Sequence, residues 1–265
     1  MDAVEIAGLV LLGLFGMVVG SFLNVVVWRV PRGESVVRPP SACPTCRARI
    51  VWYDNVPVVS WLVLRGRCRR CAARISVRYP VVELVTGLLF VGTALVVGWT
   101  LALPAFLYLV SISVALAAID VDVHRLPDAI VLPSYAVAGV LLVLASWTPG
   151  EGVDTDALVR AAAGSGALFL LYLVLALIHP RGMGLGDLKL SGVLGLYLGW
   201  VGWGALAVGA FAAFLLGGLY GVVLMVAGRA GRKTQVPFGP WMLLGAVLGV
   251  VVGEPLAAWY IRIAV

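Results

Sequence analysis

The sequence predicts an all-α polytopic membrane protein of about eight transmembrane helices, with a small cytoplasmic zinc-ribbon-like domain between helices 1 and 2. About 62% of the 265 residues are hydrophobic and only 12% are charged, roughly half the charged share of a soluble domain. A single soluble core does not grow large enough to bury that much apolar surface, and disordered chains have the opposite composition. The composition therefore excludes both a soluble globular protein and a disordered one.

Uncharged runs give the positions of the spans, because a helix crosses the hydrocarbon layer in about 20 residues. Two runs, 84–119 and 190–228, are too long for one helix, and we expect each to hold two short spans that turn near 99–104 and near 199–204. The remaining runs each hold one span. The predicted spans in chain order are 6–28, two within 84–119, 129–150, 161–180, two within 190–228, and 236–253.

The positions of Lys and Arg predict the orientation, because cytoplasmic segments are enriched in both. With the N-terminus outside, the inside segments are 29–80, 121–128, 179–189 and 228–235, and they hold 17 of the 19 basic residues. The chain then divides into a first helix (1–28), a cytoplasmic domain (29–80) and a bundle of about seven helices (81–265). The surplus charge of +6 lies at the membrane face, so membrane lipid is an expected partner and nucleic acid is not. The sequence does not indicate an oligomeric state.

All four cysteines lie in the 29–80 segment, as the pairs Cys43/Cys46 and Cys68/Cys71. The spacing of 21 residues between the pairs is one residue beyond that of common zinc ribbons. Each C-x2-C turn can direct two thiolates at one ion, and the arginines beside the cysteines favour the thiolate form. Two disulfides or four free thiols are the alternatives, and a reducing cytoplasm disfavours disulfides. We therefore predict a structural zinc ion, since four thiolates leave it no open position.

Two aspartates border the longest uncharged runs. Asp120 directly follows the run 84–119, and Asp187 precedes the run 190–228. We expect both at the cytoplasmic ends of their helices, where an ionisable group is costly and is a functional hypothesis by default. Two carboxyl groups at one depth can share a proton and activate water between them. The structural alternatives are a helix-capping acid for Asp187 and an ordinary helix-end charge for Asp120.

Several residues near the two aspartates are candidates for a supporting role. Two acids follow Asp120 within a polar stretch, and each has a simpler interpretation as a solvated or capping group. Two glycines precede Asp187 and allow another segment to approach closely. The supporting candidates are Asp122, Asp128, Gly184, Gly186 and Lys189.

Two other features remain open at the level of sequence. Glu83 lies about one turn inside the second span without an evident partner, and a buried supporting role and an interfacial position are equally compatible with it. Gly217, Gly218 and Gly221 are expected to permit close helix packing, although glycine is frequent in all membrane helices.

The order of these motifs resembles that of the bacterial type IV prepilin peptidases, which are GxGD-type intramembrane aspartic peptidases. The resemblance covers nearly the whole chain between residues 20 and 240. Its motifs are the segments 20–26, 54–61 and 78–83, the two C-x2-C pairs, the stretch 120–128 with its Leu-Pro-Asp ending, and the segments 182–187 and 236–240.

The resemblance implies an endopeptidase with eight spans in the bacterial cytoplasmic (inner) membrane. Such enzymes cut the short basic leader from type IV prepilins or pseudopilins at the cytoplasmic face, after a glycine and before the hydrophobic helix. Asp120 and Asp187 match the two catalytic aspartates of the family. The alternatives are an ion-coupled membrane transporter, in which the two aspartates carry a proton or cation, and a non-catalytic scaffold whose zinc ribbon docks a partner.

Many family members also methylate the new N-terminus with S-adenosylmethionine. Long-form members carry an insertion before the first cysteine pair, whereas only eleven residues separate Pro31 from Cys43 in this chain. Methylation is therefore implied by the resemblance alone, and the sequence assigns no residue to the methyl donor.

Overall fold

Helices make up most of the computed structural model, which describes residues 2–150, 152–179, 183–229 and 237–264. Within these residues there is one small sheet, in which Trp147–Thr148 pairs antiparallel with Gly152–Val153. Short 3₁₀ turns occur at Val30–Arg32 and Trp52–Asp54. The α-helices are α1 Ala3–Arg29, α2 Val59–Val63, α3 Arg78–Val97, α4 Leu103–Val123, α5 Asp128–Ala145, α6 Thr155–Ile178, α7 Leu185–Val201, α8 Trp203–Val226 and α9 Gly239–Ala264.

Seven helices of the described residues are long and apolar enough to cross a membrane. The eighth expected span is α7, which has 17 residues and is therefore about 25 Å long. That length is at the lower limit for a crossing. Both predicted hairpin turns occur, with α3 separated from α4 after Val97 and α7 separated from α8 at Gly202. The polytopic all-α class is confirmed.

Helix α6 begins earlier than its uncharged run predicts. It starts at Thr155, because the Asp154 carboxylate accepts a hydrogen bond of 2.9 Å from the Ala157 N–H and caps the helix. The helix therefore includes Arg160, whose guanidinium donates to the carbonyl oxygens of Gly199 and Trp200, both at 2.9 Å. These carbonyls belong to the last turn of α7. The predicted end of this span at Pro180 lies outside the described residues.

Helix α9 continues beyond its uncharged run for a similar reason. It extends past Gly253 to Ala264, and the Glu254 carboxylate accepts a hydrogen bond of 3.0 Å from the Ala205 N–H in the first turn of α8. An acid that satisfies the N-terminal turn of a neighbouring helix is stabilising there. The predicted start of this span at Val236 lies outside the described residues.

The chain forms two compact units, Met1–Trp99 with Phe106–Ala115 and Thr100–Ala105 with Leu116–Val265. In the first unit, glycines hold α1 against α3. A Cβ added to Gly16 would lie 2.9 Å from Gly87 Cα, and one added to Gly20 would lie 2.7 Å from Glu83 Cα. Small residues let the two backbones approach directly, as is common between membrane helices.

The second unit is built around α7, which contacts α5, α6, α8 and α9. A Cβ added to Gly195 would lie 2.7 Å from Ser165 Cα on α6, so this helix pair also packs backbone to backbone. The prediction of close packing was wrong for Gly218 and Gly221, because nothing lies within 4 Å of a Cβ added at either. The buried position of α7 matters because Asp187 lies in its first turn.

Candidate active site and metal centre

The four cysteines lie together in the first unit, and none is in a disulfide. Their Sγ atoms lie within 4.8 Å of one another, with 3.8 Å between Cys43 and Cys71 and 4.0 Å between Cys46 and Cys68. Four thiolates bound at about 2.3 Å around a tetrahedral zinc ion are about 3.8 Å apart. The cluster therefore fits a zinc ion with all four positions occupied by protein.

Both C-x2-C turns have the same backbone fold. The N–H of the first cysteine donates to the carbonyl five residues later, from Cys43 to Ala48 at 2.9 Å and from Cys68 to Ala73 at 2.8 Å. The residue after the second cysteine has a left-handed conformation in each turn, with φ of +55° and +56°. This shared geometry directs both pairs of thiols at one point.

The backbone of these turns also favours the thiolate form. The N–H groups of Cys46 and Thr45 lower the pKa of the Cys43 thiol to about 6. The N–H groups of the second turn likewise lower the pKa of the Cys68 thiol. Both effects help metal binding, because the thiolate is the ligand.

The arginines beside the cysteines are not the source of this effect. The Arg69 guanidinium instead donates to both carboxylate oxygens of Asp54, at 2.6 to 2.9 Å. That ion pair raises the pKa of Arg69 and joins the second cysteine turn to the 3₁₀ turn that contains Asp54.

Asp120 lies in the last turn of α4 and is buried, with 5% of its surface exposed. Its Oδ2 accepts a hydrogen bond of 3.0 Å from the N–H of Gly239, the first residue of α9. A Cβ at Gly239 would lie 2.8 Å from that same oxygen. A side chain at residue 239 would therefore crowd the Asp120 carboxyl group.

Asp187 lies in the first turn of α7, where its Oδ2 accepts a hydrogen bond of 3.2 Å from the Gly184 N–H. This is the capping contact that the structural alternative predicts. The Asp187 carboxyl also lies close enough to Asp120 for the two groups to interact electrostatically. The structure thus brings together the two aspartates, each at the end of its helix and each fixed through one oxygen.

Leu126 connects the two helix ends. A Cβ added to Gly186 would lie 2.9 Å from Leu126 Cβ, and one added to Gly239 would lie 3.3 Å from Leu126 Cδ2. Sequence reasoning singled out Gly186 but did not assign a role to either Leu126 or Gly239. Both belong to short motifs, and their contacts become visible only in three dimensions.

Two of the other supporting candidates pair with each other. The Lys189 ammonium donates to both oxygens of Asp128, each at 2.8 Å. The Asp128 side chain is also 56% exposed, so it is a solvated group that pairs with Lys189. The Tyr135 hydroxyl donates to the Lys189 carbonyl at 2.6 Å. Asp122 is exposed on the last turn of α4.

Lys189 also borders a cavity of about 410 Å³ in the second unit. Its walls come from α5 and α6 and are mostly apolar, with Leu132 and Phe169 among them. Nothing lies within 4 Å of a Cβ added to Gly166, which faces this space. Lys189, which lies two residues after Asp187, is the residue of α7 that lines this space, and Asp187 is not among the lining residues.

Sequence reasoning did not single out Tyr172, a polar residue that lies near Asp187. It is 2% exposed, and its ring centroid lies 5.4 Å from that of Phe214 and 6.3 Å from that of Phe238. Its phenol lies close enough to Asp187 for the two groups to interact electrostatically. Its sequence signal is a hydroxyl group within a largely apolar span.

Glu83 has a partner in the first unit. The Val58 N–H donates a hydrogen bond of 2.7 Å to its Oε2, and the Ser21 hydroxyl also bonds to this carboxyl group. Glu83 is buried, with 8% exposed. The structure therefore supports the buried role for Glu83 over the interfacial one.

Comparison with known proteins gives two matches to family models. The bacterial peptidase A24 N-terminal domain matches residues 14–97, and the type IV leader peptidase family matches residues 107–222. No solved structure matches the chain.

Three curated relatives, each named prepilin leader peptidase/N-methyltransferase, show how far the similarity extends. The Myxococcus xanthus protein is 42% identical over 228 residues, which are 85% of this chain and 66% of that protein. The Aeromonas hydrophila protein is 37% identical over 275 residues, with 94% and 92% of the two chains covered. The Bacillus subtilis protein is 34% identical over 257 residues, with 96% and 98% covered.

The helical fold, with seven described helices long and apolar enough to cross a membrane, defines a multi-pass membrane protein. Within that class, the chain belongs to the type IV leader peptidase family. The resemblance seen in the sequence motifs is confirmed.

Proposed function

We propose that this protein removes the leader peptide from type IV prepilins or pseudopilins and then methylates the new N-terminus. The observation that carries the proposal is the pairing of Asp120 with Asp187 in a chain whose relatives are named for both activities. Both aspartates lie at helix ends. This position suits hydrolysis at a membrane surface better than ion transport, whose sites lie near the bilayer midplane.

The two carboxyl groups perform general acid–base hydrolysis. Two close carboxyl groups do not easily ionise together, so the pair holds one proton between them. The ionised member takes a proton from water as the water attacks the scissile carbonyl, and the protonated member donates to the carbonyl oxygen. Backbone N–H groups fix each carboxyl through one oxygen, so little reorganisation is needed during the reaction.

The apolar cavity beside Lys189 accommodates the hydrophobic segment that follows the scissile bond. Its lining is mostly apolar, and one lining residue, Lys189, lies two residues after Asp187 in the sequence. The basic leader remains in the cytoplasm. The active site accordingly lies at the cytoplasmic face of the inner membrane, in agreement with the distribution of Lys and Arg along the chain.

The cysteine cluster binds one structural zinc ion through Cys43, Cys46, Cys68 and Cys71. The distances between its sulfur atoms support this assignment. The segment between α1 and α3 contains one short α-helix, α2, and a metal is a usual way to stabilise so small a domain.

The test is cleavage of a prepilin by the purified full-length protein in detergent, with the mass of the product measured. The expected product lacks the leader and gains one methyl group when S-adenosylmethionine is supplied. A protein that folds and binds zinc but leaves every tested prepilin intact would favour the transporter or the scaffold. Ion flux in proteoliposomes would then separate these two.

A further inference from the structure

One face of α1 and the loop that follows this helix enclose a cavity of about 370 Å³ in the first unit. The helix contributes Val18, Phe22, Val25 and Arg29, which are spaced by three or four residues and therefore lie on one face. Loop residues between 36 and 41 form part of the opposite wall. The cavity thus combines an apolar helix face with a cation at the end of that face.

The Arg29 end of this face lies at the membrane surface. Residues 6–28 carry no charge, so Arg29 in the last turn of α1 is the first cation after the apolar part of the span. Beside it, the Arg32 guanidinium lies over the Trp28 ring, 3.7 Å from its centroid, and such residues are typical of the zone between hydrocarbon and water. Val18 lies roughly 16 Å further along the helix, a distance close to the hydrocarbon thickness of one leaflet.

Arg29 presents its charge to the cavity in a fixed orientation. Its guanidinium donates to the carbonyl oxygens of Ser35 at 2.9 Å and Pro39 at 2.7 Å. A guanidinium has five N–H donors, so donors remain for a ligand, and arginine binds phosphate groups through parallel hydrogen bonds. The Asn55 amide and the Ser41 hydroxyl also line the cavity and can donate to the same ligand.

The charge of the lining favours an anion. Among the described residues that line the cavity, none is an aspartate or a glutamate. Glu83 is not a lining residue: its carboxyl group bonds to the Ser21 hydroxyl, accepts a hydrogen bond of 2.7 Å from the Val58 N–H and is buried. A cationic ligand therefore has no exposed partner here, and the basic leader of a prepilin is disfavoured for the same reason.

The apolar part of the face distinguishes a lipid from a soluble anion. Val18 and Phe22 are 56% and 52% exposed, so the protein leaves much of this surface uncovered. A free phosphate ion would bind Arg29 and leave the apolar surface without a partner. A phospholipid covers both, because its charged headgroup and its acyl chains are joined in the same order along the membrane normal as Arg29 and the apolar residues.

We infer that this cavity binds one anionic phospholipid, with its headgroup phosphate at Arg29 and an acyl chain along Val18 and Phe22. Basic pockets beside membrane helices recognise anionic headgroups in this way. The loop that forms the opposite wall leads directly to Cys43, so the bound lipid fastens the start of the cysteine segment to the membrane. The inference goes beyond the proposed function, since it requires neither cleavage nor methyl transfer.

Native mass spectrometry of the purified full-length protein, titrated with phosphatidylglycerol in a neutral detergent, tests the inference. The wild type should retain one phosphatidylglycerol and bind phosphatidylcholine about tenfold more weakly, because the lining offers no partner for choline. Arg29→Gln removes the charge, and Val25→Trp fills the cavity. Each should weaken the first phosphatidylglycerol binding event by about tenfold or more.

Two matched controls separate this site from the general properties of the membrane surface. Arg32→Gln removes the same charge three residues away, outside the cavity lining. Val10→Trp adds the same ring at an exposed position of α1 that does not line the cavity. Both controls should bind the lipid as the wild type does.

Thermal unfolding verifies that each variant is folded. Arg29→Gln also loses bonds to the loop, so if it does not fold, the comparison of Val25→Trp with Val10→Trp decides. Equal losses in Arg29→Gln and Arg32→Gln would show an effect of surface charge alone and overturn the inference. So would unchanged binding in Val25→Trp, or equal binding of the two lipids. Displacement of the lipid by inorganic phosphate would identify a site for a free anion, and displacement by a prepilin peptide would identify a substrate groove; either result would also overturn it.

Discussion

Leu126 and Gly186 pack so closely that no side chain fits between them. A Cβ added to Gly186 would lie 2.9 Å from Leu126 Cβ and 3.4 Å from both its backbone nitrogen and its carbonyl oxygen. The segment that follows Asp120 thereby rests on the turn that precedes Asp187. This contact sets the relative position of the two carboxyl groups.

Gly186→Ala should therefore reduce cleavage strongly while the protein still folds. The added methyl group separates the two segments, and a misplacement of about 1 Å near a reacting centre costs on the order of 100-fold in rate. Initial rates of prepilin cleavage measure the effect. Gly218→Ala is the matched control, since the space around Gly218 is open. Equal rates for both variants would show that the contact with Leu126 does not position the carboxyl groups.

Asp120→Asn and Asp187→Asn should each abolish cleavage and leave membrane insertion and zinc content intact. An amide has nearly the shape of a carboxyl group but cannot take the proton from water. Residues of one catalytic unit are strongly non-additive, so the double variant should be little worse than either single one. Asp122→Asn and Asp128→Asn should retain more activity, since neither carboxyl group belongs to the pair. Near wild-type cleavage by either of the first two variants contradicts the two-aspartate mechanism.

Tyr172→Phe should lower kcat by about tenfold, less than the roughly 10²- to 10⁴-fold contributed by a general acid or base, with little change in KM. The substitution keeps the ring among Phe214 and Phe238 and removes only the hydroxyl that interacts with Asp187. The pH dependence of kcat should shift as well, because the charge environment of the carboxyl pair changes. Tyr220→Phe is the control. An unaltered pH profile of kcat in Tyr172→Phe would show that the Tyr172 hydroxyl has no electrostatic role and that the residue acts only through packing.

Metal analysis should find about one zinc ion per chain. The double variant Cys68→Ser/Cys71→Ser should lose it, and proteolysis should then cut the segment between α1 and α3 faster. The same sensitivity should follow treatment of the wild type with a strong chelator, because metal binding and folding are coupled in such domains. Unchanged zinc content in the double variant would show that the cysteines are not the ligands.

Filling the apolar cavity should weaken substrate use. Gly166→Trp places a large ring in open space beside the cavity, so it should raise KM for prepilin about tenfold, as expected when apolar binding surface is lost. Gly139→Trp on α5 is the control, since Gly139 also faces open space but does not line the cavity. Equal KM values for the two variants would place the hydrophobic segment of the substrate elsewhere.

Composition and uncharged runs were sufficient to predict the class of fold, the helix hairpins and the helix-end positions of Asp120 and Asp187. The runs failed at Arg160 and Glu254, where a charged residue stabilises the end of a neighbouring helix. Hydropathy counts such a residue as a break in the span. Its partner, however, is a set of backbone groups that only the folded bundle brings within reach.

The sequence predicts those site residues whose side chains carry reactive groups. Carboxyl and thiol groups indicate a function from the sequence, whereas Leu126 and Gly239 act through shape and backbone contact. Glycine positions give a partial signal. Gly195 and Gly199 are four residues apart and contact α6. Gly217 and Gly221 have the same spacing, but no atom of the described residues lies within 4 Å of a Cβ added to Gly221. Spacing alone therefore does not identify which helix face is packed.

Arg160 controls the alignment of α7 from the end of the helix that is farthest from Asp187. Its two hydrogen bonds to the last turn oppose sliding of the helix along its axis. A slip of one residue would move the Asp187 carboxyl by about 1.5 Å, which is enough to lose most of the catalytic rate. Genetic screens for inactive alleles should therefore recover substitutions at Arg160, at the far end of α7 from Asp187 and without any change to either aspartate.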